Sequence, residues 1–381
     1  MIKRGQSFVL PFQGSLRVSL SRHVPKPLQE KACELGDVNS APLQAPPRDK
    51  IRLKFLTHNV AGPMVRLGDV VDLQSLKNGS LDSILSLQEV HEEDLSALLK
   101  KLSPNPSLIE HIDSNNPVGI FSNENLTLVW AEDFTLQDKR VFNFDSLQRA
   151  GKHYLVTVIP RNSGDLELDL AYKLQEKNGD GDPSLKPKVK LYDSFVKVPF
   201  EQAIRLKQWM ILKLFGCSDR ENPALMTTIN VRDKSGKLVQ KIKHVNMHTP
   251  AFNLGWERLL DFIKFLDRLV TKQFNKEGNQ KNTIVLAGDM NNIFPGEDKN
   301  LFLLLLRYGF ETLFPFFEGT YGKDKDGNSL YFHDLIAVSP PNSELGQAFE
   351  EYKIGPMDTA SDHRSVAATL ALPKLNYKKQ S

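Results

Sequence analysis

Cysteine is scarce in this chain of 381 residues: Cys33 and Cys217 are the only two. Two cannot build a disulfide framework, and without a CxxC pair or a Cys/His cluster nothing suggests structural zinc. A reducing compartment is the default expectation. That means the cytoplasm, with organelle targeting or non-classical secretion as the other outcomes. Long apolar runs are also missing. The most apolar stretch, "NLFLLLLRYGF" at Asn300–Phe310, falls short of the ~18 residues a membrane-spanning helix needs. One-sided charge is missing too. Lys and Arg number 49 against 46 Asp and Glu, so the formal net charge of +3 permits an anionic partner without demanding one. The first residues lack the apolar core of a secretory signal. Met1 to Gln29 carries Lys3, Arg4, Arg17, Arg22 and Lys26 with four serines and no acid, as a transit peptide or a disordered basic tail would. "NGDGDP" at Asn178–Pro183 lacks the glycine and glutamate spacing of a calcium hand. There is no internal repeat.

What remains has the makeup of a soluble globular protein, 40% hydrophobic and 25% charged. Residues 1–49 end in "SAPLQAPPRDK", whose Pro42, Pro46 and Pro47 make an extended tail without a core pattern. Alternating strand patterns begin at Ile51–Val60 and recur at "SILSLQEV", "VGIFSN", "LTLVWA" and "HYLVTVIP". "HEEDLSALLKKL" at His91–Leu102 reads as an amphipathic helix with acids early and lysines late, which suits the helix dipole. The polar stretch Arg161–Pro199 reads as a loop, and Phe200–Phe215 as a helix inside the same insertion, about 161–222. A hairpin follows at Leu225–His248, turning at Lys234-Ser235-Gly236, then a long amphipathic helix at Trp256–Phe274. "TIVLAGD" and "YFHDLIAV" (Tyr331–Val338) read as further strands. Helices and strands that intermix, with hairpins among the strands, argue for a layered α/β or α+β sandwich over residues 50–375.

"LAGDMNN" at Leu286–Asn292 poses a choice. Gly, Asp and Asn are ordinary turn residues. Asp289 and Asn291, as alternate residues of an extended segment, would instead point the same way and line a site. Other apolar strands have the same character. Asn59 closes the first strand, Glu89 sits in "LQEV", Asn246 and His248 share a face in "VNMHTP", Asp334 lies in "FHDLIAV", and "SDHRSV" brings Asp362 and His363. Singly, each is more often a hydrogen-bonded surface or core residue. So many together are harder to dismiss, because an unpartnered buried charge costs several kcal/mol.

In this order "HNV", "LQEV", "GIFS", "VNMHTP", "LAGDMNN", "FHDLIAV" and "SDHRSV" resemble the motifs of the endonuclease/exonuclease/phosphatase superfamily, over roughly Ile51 to Leu372. The resemblance implies a deoxyribonuclease-like four-layer sandwich, two packed mixed β-sheets flanked by helices with the site at one end. It also implies hydrolysis of phosphate esters with Mg²⁺ or Mn²⁺. Carried onto this chain, Glu89 with Asn59 and Asp362 would hold the metal. Asp289 would orient or deprotonate the attacking water, with Asn291 holding the phosphate or that water. His248, and His363 paired with Asp334, would donate hydrogen bonds to phosphate oxygens. Arg149 and Arg220 compete for an arginine's contact to phosphate. Two departures stand out. The position two residues after Asn59 is Ala61, where some members have aspartate, and no clear tyrosine stands between "LQEV" and His248, where many nucleases carry one. Inositol 5-phosphatases usually show Trp-x-Asp-Arg where this chain has "YFHDLIAV", which disfavours that subgroup. The expected partner is a phosphate-ester substrate, nucleic acid first, with a lipid or small-molecule ester as the alternative. A monomer is expected. An inactive binding module is the reading from a different class.

Overall fold

The computed structural model describes residues 50–60, 67–70, 73–102, 110–111, 118–133, 152–175, 184–192, 224–249, 256–271, 282–291, 298–312, 319–323, 329–339, 348–355 and 361–375. The N-terminal tail, Phe200–Phe215, Arg149 and Arg220 lie outside them.

In chain order the elements are β1 (Lys50–Asn59), α1 (Leu67–Val70), α2 (Leu73–Asn78), β2 (Ser83–His91), α3 (Glu92–Leu102), β3 (Glu110–His111), β4 (Val118–Ser122), β5 (Leu126–Glu132) and β6 (His153–Pro160). There follow β7 (Asn162–Ser163), β8 (Leu166–Leu170), β9 (Tyr172–Gln175), β10 (Ser184–Pro187), β11 (Val189–Tyr192), β12 (Ala224–Arg232) and β13 (Leu238–His248). The last are α4 (Trp256–Thr271), β14 (Thr283–Asp289), α5 (Asp298–Arg307), β15 (Glu311–Thr312), β16 (Tyr321–Lys323), β17 (Ser329–Tyr331), β18 (Asp334–Ser339), β19 (Phe349–Ile354) and β20 (Val366–Pro373).

They form two large mixed sheets. Sheet 1 runs β19-β20-β1-β2-β6-β5-β4-β3, and sheet 2 runs β15-β18-β14-β13-β12-β8-β7 with β11 also on β12. Each contains one parallel pair, β1 with β2 and β13 with β14. The side-chain alternation of the strands sorts their two faces. Ile84, Val129, Ala131, Leu155 and Ile159 of sheet 1 share a core with Leu168, Ile229, Ile242, Val285 and Ile336 of sheet 2. On the other side of sheet 1, Leu85, Leu87, Leu126, Leu128, Val156 and Val158 pack with Leu95 and Leu98 of α3. In α4, Phe262, Phe265, Leu266, Leu269 and Val270 are buried, an i, i+3, i+4, i+7 stripe. The sheets pack face to face with helices outside, as expected of the sandwich.

The stretch expected as a loop, Arg161–Pro199, departs from that reading. Its described part carries β7 to β11, and β8 pairs with β12 from Ile229 to Arg232. "LELDL" alternates, and its Leu166, Leu168 and Leu170 are core residues. The strand expected over Tyr331–Val338 is also interrupted. The N–H groups of His333 and Asp334 donate to Thr320 Oγ1, both at 2.9 Å, so β18 begins only at Asp334.

Polar side chains cross the core behind the site-bearing end. Gln88 Nε2 donates to Asn246 Oδ1 at 2.7 Å and to Thr57 Oγ1 at 3.2 Å. Asn246 Nδ2 in turn reaches the carbonyl oxygens of Leu87 (3.2 Å) and Val156 (3.0 Å). Ser86 Oγ lies 2.8 Å from His244 Nε2. Burial pushes the His244 imidazole down to about 3, so it stays neutral. Asn246, expected to share a face with His248, therefore serves to join the sheets.

Candidate active site

Strand direction gathers the site. β13 and β14 run parallel with His248 opposite Asp289. β18 runs antiparallel to β14, so its first residue, Asp334, stands opposite Asp289. From sheet 1, Asn59 ends β1 and Glu89 lies near the end of the parallel β2. The loop after β5 adds Asp133, whose N–H donates to the His153 carbonyl at 2.7 Å. The 361–363 segment is tied to β1 by Ser361, which donates to the Asn59 carbonyl oxygen (2.9 Å) and accepts from the His363 N–H (3.1 Å).

Among the described residues, two non-glycine residues have left-handed backbone: Glu89 (φ 56°) and Asn291 (φ 45°). Such conformations are uncommon, and they cluster where function over-determines the chain. Glu89 sits in a bulge, since β2 and β6 lose register between Leu87 and Val90. The bulge re-aims a side chain that regular alternation would send elsewhere. Asn291 follows the end of β14, so it is not an extended neighbour of Asp289. Its N–H donates to Asp289 Oδ1 at 2.6 Å, an Asx-type turn, and its Nδ2 donates to the Thr249 carbonyl. Asp289 is thus the hinge of a turn and also a member of the site. Gly288 before it (φ 150°) must lack a side chain, because a Cβ there would stand 1.9 Å from the Met247 carbonyl oxygen.

One oxygen is the focus of the arrangement. Asp289 Oδ2 accepts from Asn59 Nδ2 at 2.8 Å and lies 3.6 Å from His248 Nε2 and 3.7 Å from His363 Nε2. Asn59 Nδ2 also reaches Glu89 Oε1 (3.2 Å), which is 3.5 Å from His248 Nε2. Behind each imidazole stands a buried carboxylate. Asp133 Oδ2 is 2.8 Å from His248 Nδ1, and Asp334 Oδ2 is 2.8 Å from His363 Nδ1. Burial alone would depress both histidines. Asp133, with Asp289 and Glu89, overcomes it and raises His248 to about 9. Asp334, with Asp289, raises His363 to about 10. Burial likewise pushes Asp334 up to about 6, but the adjacent imidazolium keeps it ionised at neutral pH. Burial opposes ionisation of Asp289 too, yet His363 and His248 hold its carboxyl below the ordinary value.

The other expected residue is looser. Asp362 is 53% exposed and meets the cluster through His363 Nε2, 4.0 Å from its Oδ1. Arg149, Arg220 and the Ala61 position lie outside the described residues. Three participants were missed in the sequence. Asp133 follows "LTLVWAE" as one acid of a pair, with no local mark that a histidine 115 positions later is its partner. Tyr321 stacks on His333 (4.5 Å, 14°) and tilts against His363 (4.6 Å). Burial pushes His333 down to about 4, which leaves it a neutral third imidazole.

Four carboxylates, Glu89, Asp133, Asp289 and Asp334, face two imidazoliums in nearly full burial. That surplus of negative charge fits a cation. Ligand atoms of Asp289, Asp334 and His363 lie within 4.8 Å of one another. Asp334 and His363 already satisfy each other, however, and a hard cation prefers oxygen. The Glu89 carboxylate, reached by Asn59 Nδ2 at 3.2 Å, supplies such oxygens at the site.

The chain is similar in structure to endonuclease/exonuclease/phosphatase family proteins. One from Bacteroides thetaiotaomicron is 11% identical, with 85% of this chain and 98% of that one covered and a TM-score of 0.42. For ANGEL2, a 2′,3′-cyclic phosphatase, the values are 12%, 85%, 96% and 0.45. For the catalytic domain of Xenopus laevis APE2 they are 15%, 86%, 94% and 0.40. No protein-family model and no curated protein matches the chain. Among the described residues no helix is long and apolar enough to cross a membrane.

Proposed function

We propose that residues 50–375 form a divalent-metal-dependent phosphoesterase, with a phosphodiester of nucleic acid as the leading substrate. The observation that carries this is the pair of carboxylate-backed imidazoles converging on Asp289 Oδ2 from opposite dyads. Two fixed cationic donors around one carboxylate suit a reaction that builds negative charge on phosphoryl oxygens beside an attacking water. His248 and His363 would donate Nε2–H to those oxygens, with Asp133 and Asp334 keeping them protonated and oriented. Asp289, held acidic by its neighbours, is a weak base, so its part is to accept a hydrogen bond from the water and orient it. Asn291, whose side chain is engaged with Thr249, fixes the Asp289 turn. Glu89 and Asn59, with Asp362 at the rim, would hold Mg²⁺ or Mn²⁺. When bound, the metal would polarise the phosphoryl oxygen and ease departure of the leaving oxygen.

The test is turnover of bis-p-nitrophenyl phosphate, DNA, RNA, phosphoinositide and sphingomyelin, with Mg²⁺ and with EDTA. Asp289→Asn keeps the shape and removes the charge, so it should cost on the order of 10²-fold or more in kcat; its amide NH2 would also face either the Asn291 N–H or Asn59 Nδ2, so a lower melting temperature is expected beside it. Near-normal turnover by folded Asp289→Asn, or full activity in excess chelator, refutes the reading. Activity confined to phosphoinositide or sphingomyelin would overturn the nucleic-acid assignment alone.

A further inference from the structure

One carboxylate of the site is anchored at a single oxygen. Asp334 Oδ2 meets His363 Nδ1 at 2.8 Å, and the Asp334 N–H donates to Thr320 Oγ1 at 2.9 Å. Its other oxygen, Oδ1, is buried without a hydrogen-bond partner among the described residues. Asp289 differs, since the Asn291 N–H occupies its Oδ1 and Asn59 Nδ2 its Oδ2. A carboxylate held at one oxygen can tilt, and the imidazole it orients tilts with it. An unserved oxygen on a buried anion is also costly.

The matching donor enters from the other sheet. Tyr352 Oη is likewise buried without a hydrogen-bond partner among the described residues. In β18, Ile336 and Val338 belong to the inter-sheet core, so alternation points Asp334 to the same side. In β19 the register shifts between Phe349 and Glu351, and this irregularity brings both Phe349 and Tyr352 against that core. Tyr352 pairs with Ala368, and Ala368 with Phe55, both members of the same cluster. The Phe349 ring meets the Tyr352 ring edge-on at 6.0 Å. Burial raises the Tyr352 phenol above the ordinary tyrosine range, and the negative charge of Asp334 raises it further, so the two groups are near enough to act on each other. A tyrosine that merely filled this corner would carry an orphaned hydroxyl, which phenylalanine would avoid.

We propose that Tyr352 is a positioning residue of the site: its hydroxyl donates to Asp334 Oδ1 and completes a Tyr352–Asp334–His363 chain that holds the His363 ring in place. The two oxygens stand beyond hydrogen-bond distance, and bringing them together satisfies two buried orphans in one contact. A donor on Oδ1 favours the ionised carboxylate, and the ionised carboxylate keeps His363 Nδ1–H engaged and Nε2–H aimed. The rival donor is the Thr320 hydroxyl, which accepts from the His333 and Asp334 N–H groups and favours the ionised form of Asp334. It leaves Oδ1 unserved. The last link of the chain, from His363 to a phosphoryl oxygen, rests on the phosphoesterase reading; the first two do not.

Tyr352→Phe removes the hydroxyl and keeps the ring. Proton NMR of the full chain in EDTA reads the dyad without requiring the site to act. The His363 Nδ1–H resonance, assigned by its loss in His363→Gln, should move downfield in Tyr352→Phe, because Asp334 without a second donor pulls harder on that proton. Melting in EDTA should fall, whereas a space-filling tyrosine predicts a rise, since an orphaned hydroxyl would be relieved. On bis-p-nitrophenyl phosphate, kcat should drop about 10-fold with KM little changed, the loss of one hydrogen bond to a charged group. In an Asp334→Asn background the same change should add little. Tyr308→Phe removes another buried-ring hydroxyl, outside the site, and should leave the resonance and kcat as they are. An unmoved resonance in folded Tyr352→Phe, a melting temperature at or above wild type, or an equal loss of kcat with and without Asp334 would overturn the proposal. Failure of the phosphoesterase reading shows separately, as no hydrolysis of any phosphate ester while the resonance and melting still respond.

Discussion

Replacing Asp133 by asparagine isolates the charge behind His248. Asparagine is nearly isosteric, and its Oδ1 can still accept from Nδ1–H, so the 2.8 Å contact survives while the negative charge goes. Burial is the largest influence on this imidazole, and Asp133 is the first of the groups that reverse it and raise it to about 9. Without Asp133, Asp289 and Glu89 are left to oppose burial, and the pKa should drop toward the ordinary 6.5 or below. At pH 7.5 a pKa of 9 leaves His248 almost fully protonated, one of 6.5 leaves roughly 10%, and one of 5.5 roughly 1%. If protonated His248 is the donor, kcat at pH 7.5 should fall about 10- to 100-fold. The basic limb of the pH profile should shift toward acid, so that much of the loss is recovered near pH 6. The assay is kcat against pH on bis-p-nitrophenyl phosphate with saturating Mg²⁺, beside an NMR titration of the His248 ring in EDTA. A folded Asp133→Asn protein whose basic limb stays where wild type has it would refute the argument. Asp133 would then be a structural brace.

Three further expectations concern metal, backbone and pH. Glu89→Gln should loosen the apparent Mg²⁺ or Mn²⁺ affinity by on the order of 10-fold or more, read by calorimetric titration; equal affinity would remove Glu89 from the metal's ligands. Gly288→Ala puts a Cβ against the Met247 carbonyl oxygen and should cost about 2 kcal/mol or more in urea unfolding, where an ordinary exposed substitution would cost far less. In EDTA, His248 and His363 bind protons more tightly folded than unfolded. Their stabilisation is complete below pH 6.5 and lost as pH rises through about 9 and 10, so Tm should decline from pH 7 to pH 10; a rising Tm would contradict the two charged dyads.

Much of the sandwich could be read from alternation, because strands buried on one face leave a period-two trace. The short strands within Arg161–Pro199 could not, since two to five residues carry little periodicity and their pairing to β12 is long-range. The motifs singled out Asn59, Glu89, His248, Asp289, Asp334 and His363, which the structure brings together; Asn59, His248, Asp289 and Asp334 are strand ends, where a polar residue stands out against an apolar run. What the sequence hides is conformation and partnership. Nothing in "LQEV" shows that Glu89 sits in a bulge at φ 56°. "DMNN" presented a choice between turn and site, and the Asn291 N–H on Asp289 Oδ1 makes it both. Asp133 is found only when β5 and β13 are brought together by the packing of two sheets.

The hydrogen bonds that cross the core also limit sliding. Sheet 1 contributes Asn59, Glu89 and Asp133 to the site, and sheet 2 contributes His248, Asp289 and Asp334. Two greasy faces tolerate shear, since interdigitated Val, Leu and Ile can exchange one good contact for another of similar energy. A hydrogen bond weakens steeply once its geometry is lost. The Gln88 amide on Asn246, and the Asn246 amide on the Leu87 and Val156 carbonyls, therefore act as a key between two plates. The key is cut one residue away from Glu89 and two residues away from His248. The fore-and-aft alignment of the two half-sites is thus set next to where it matters, and the apolar core farther along the strands can change by drift without moving it.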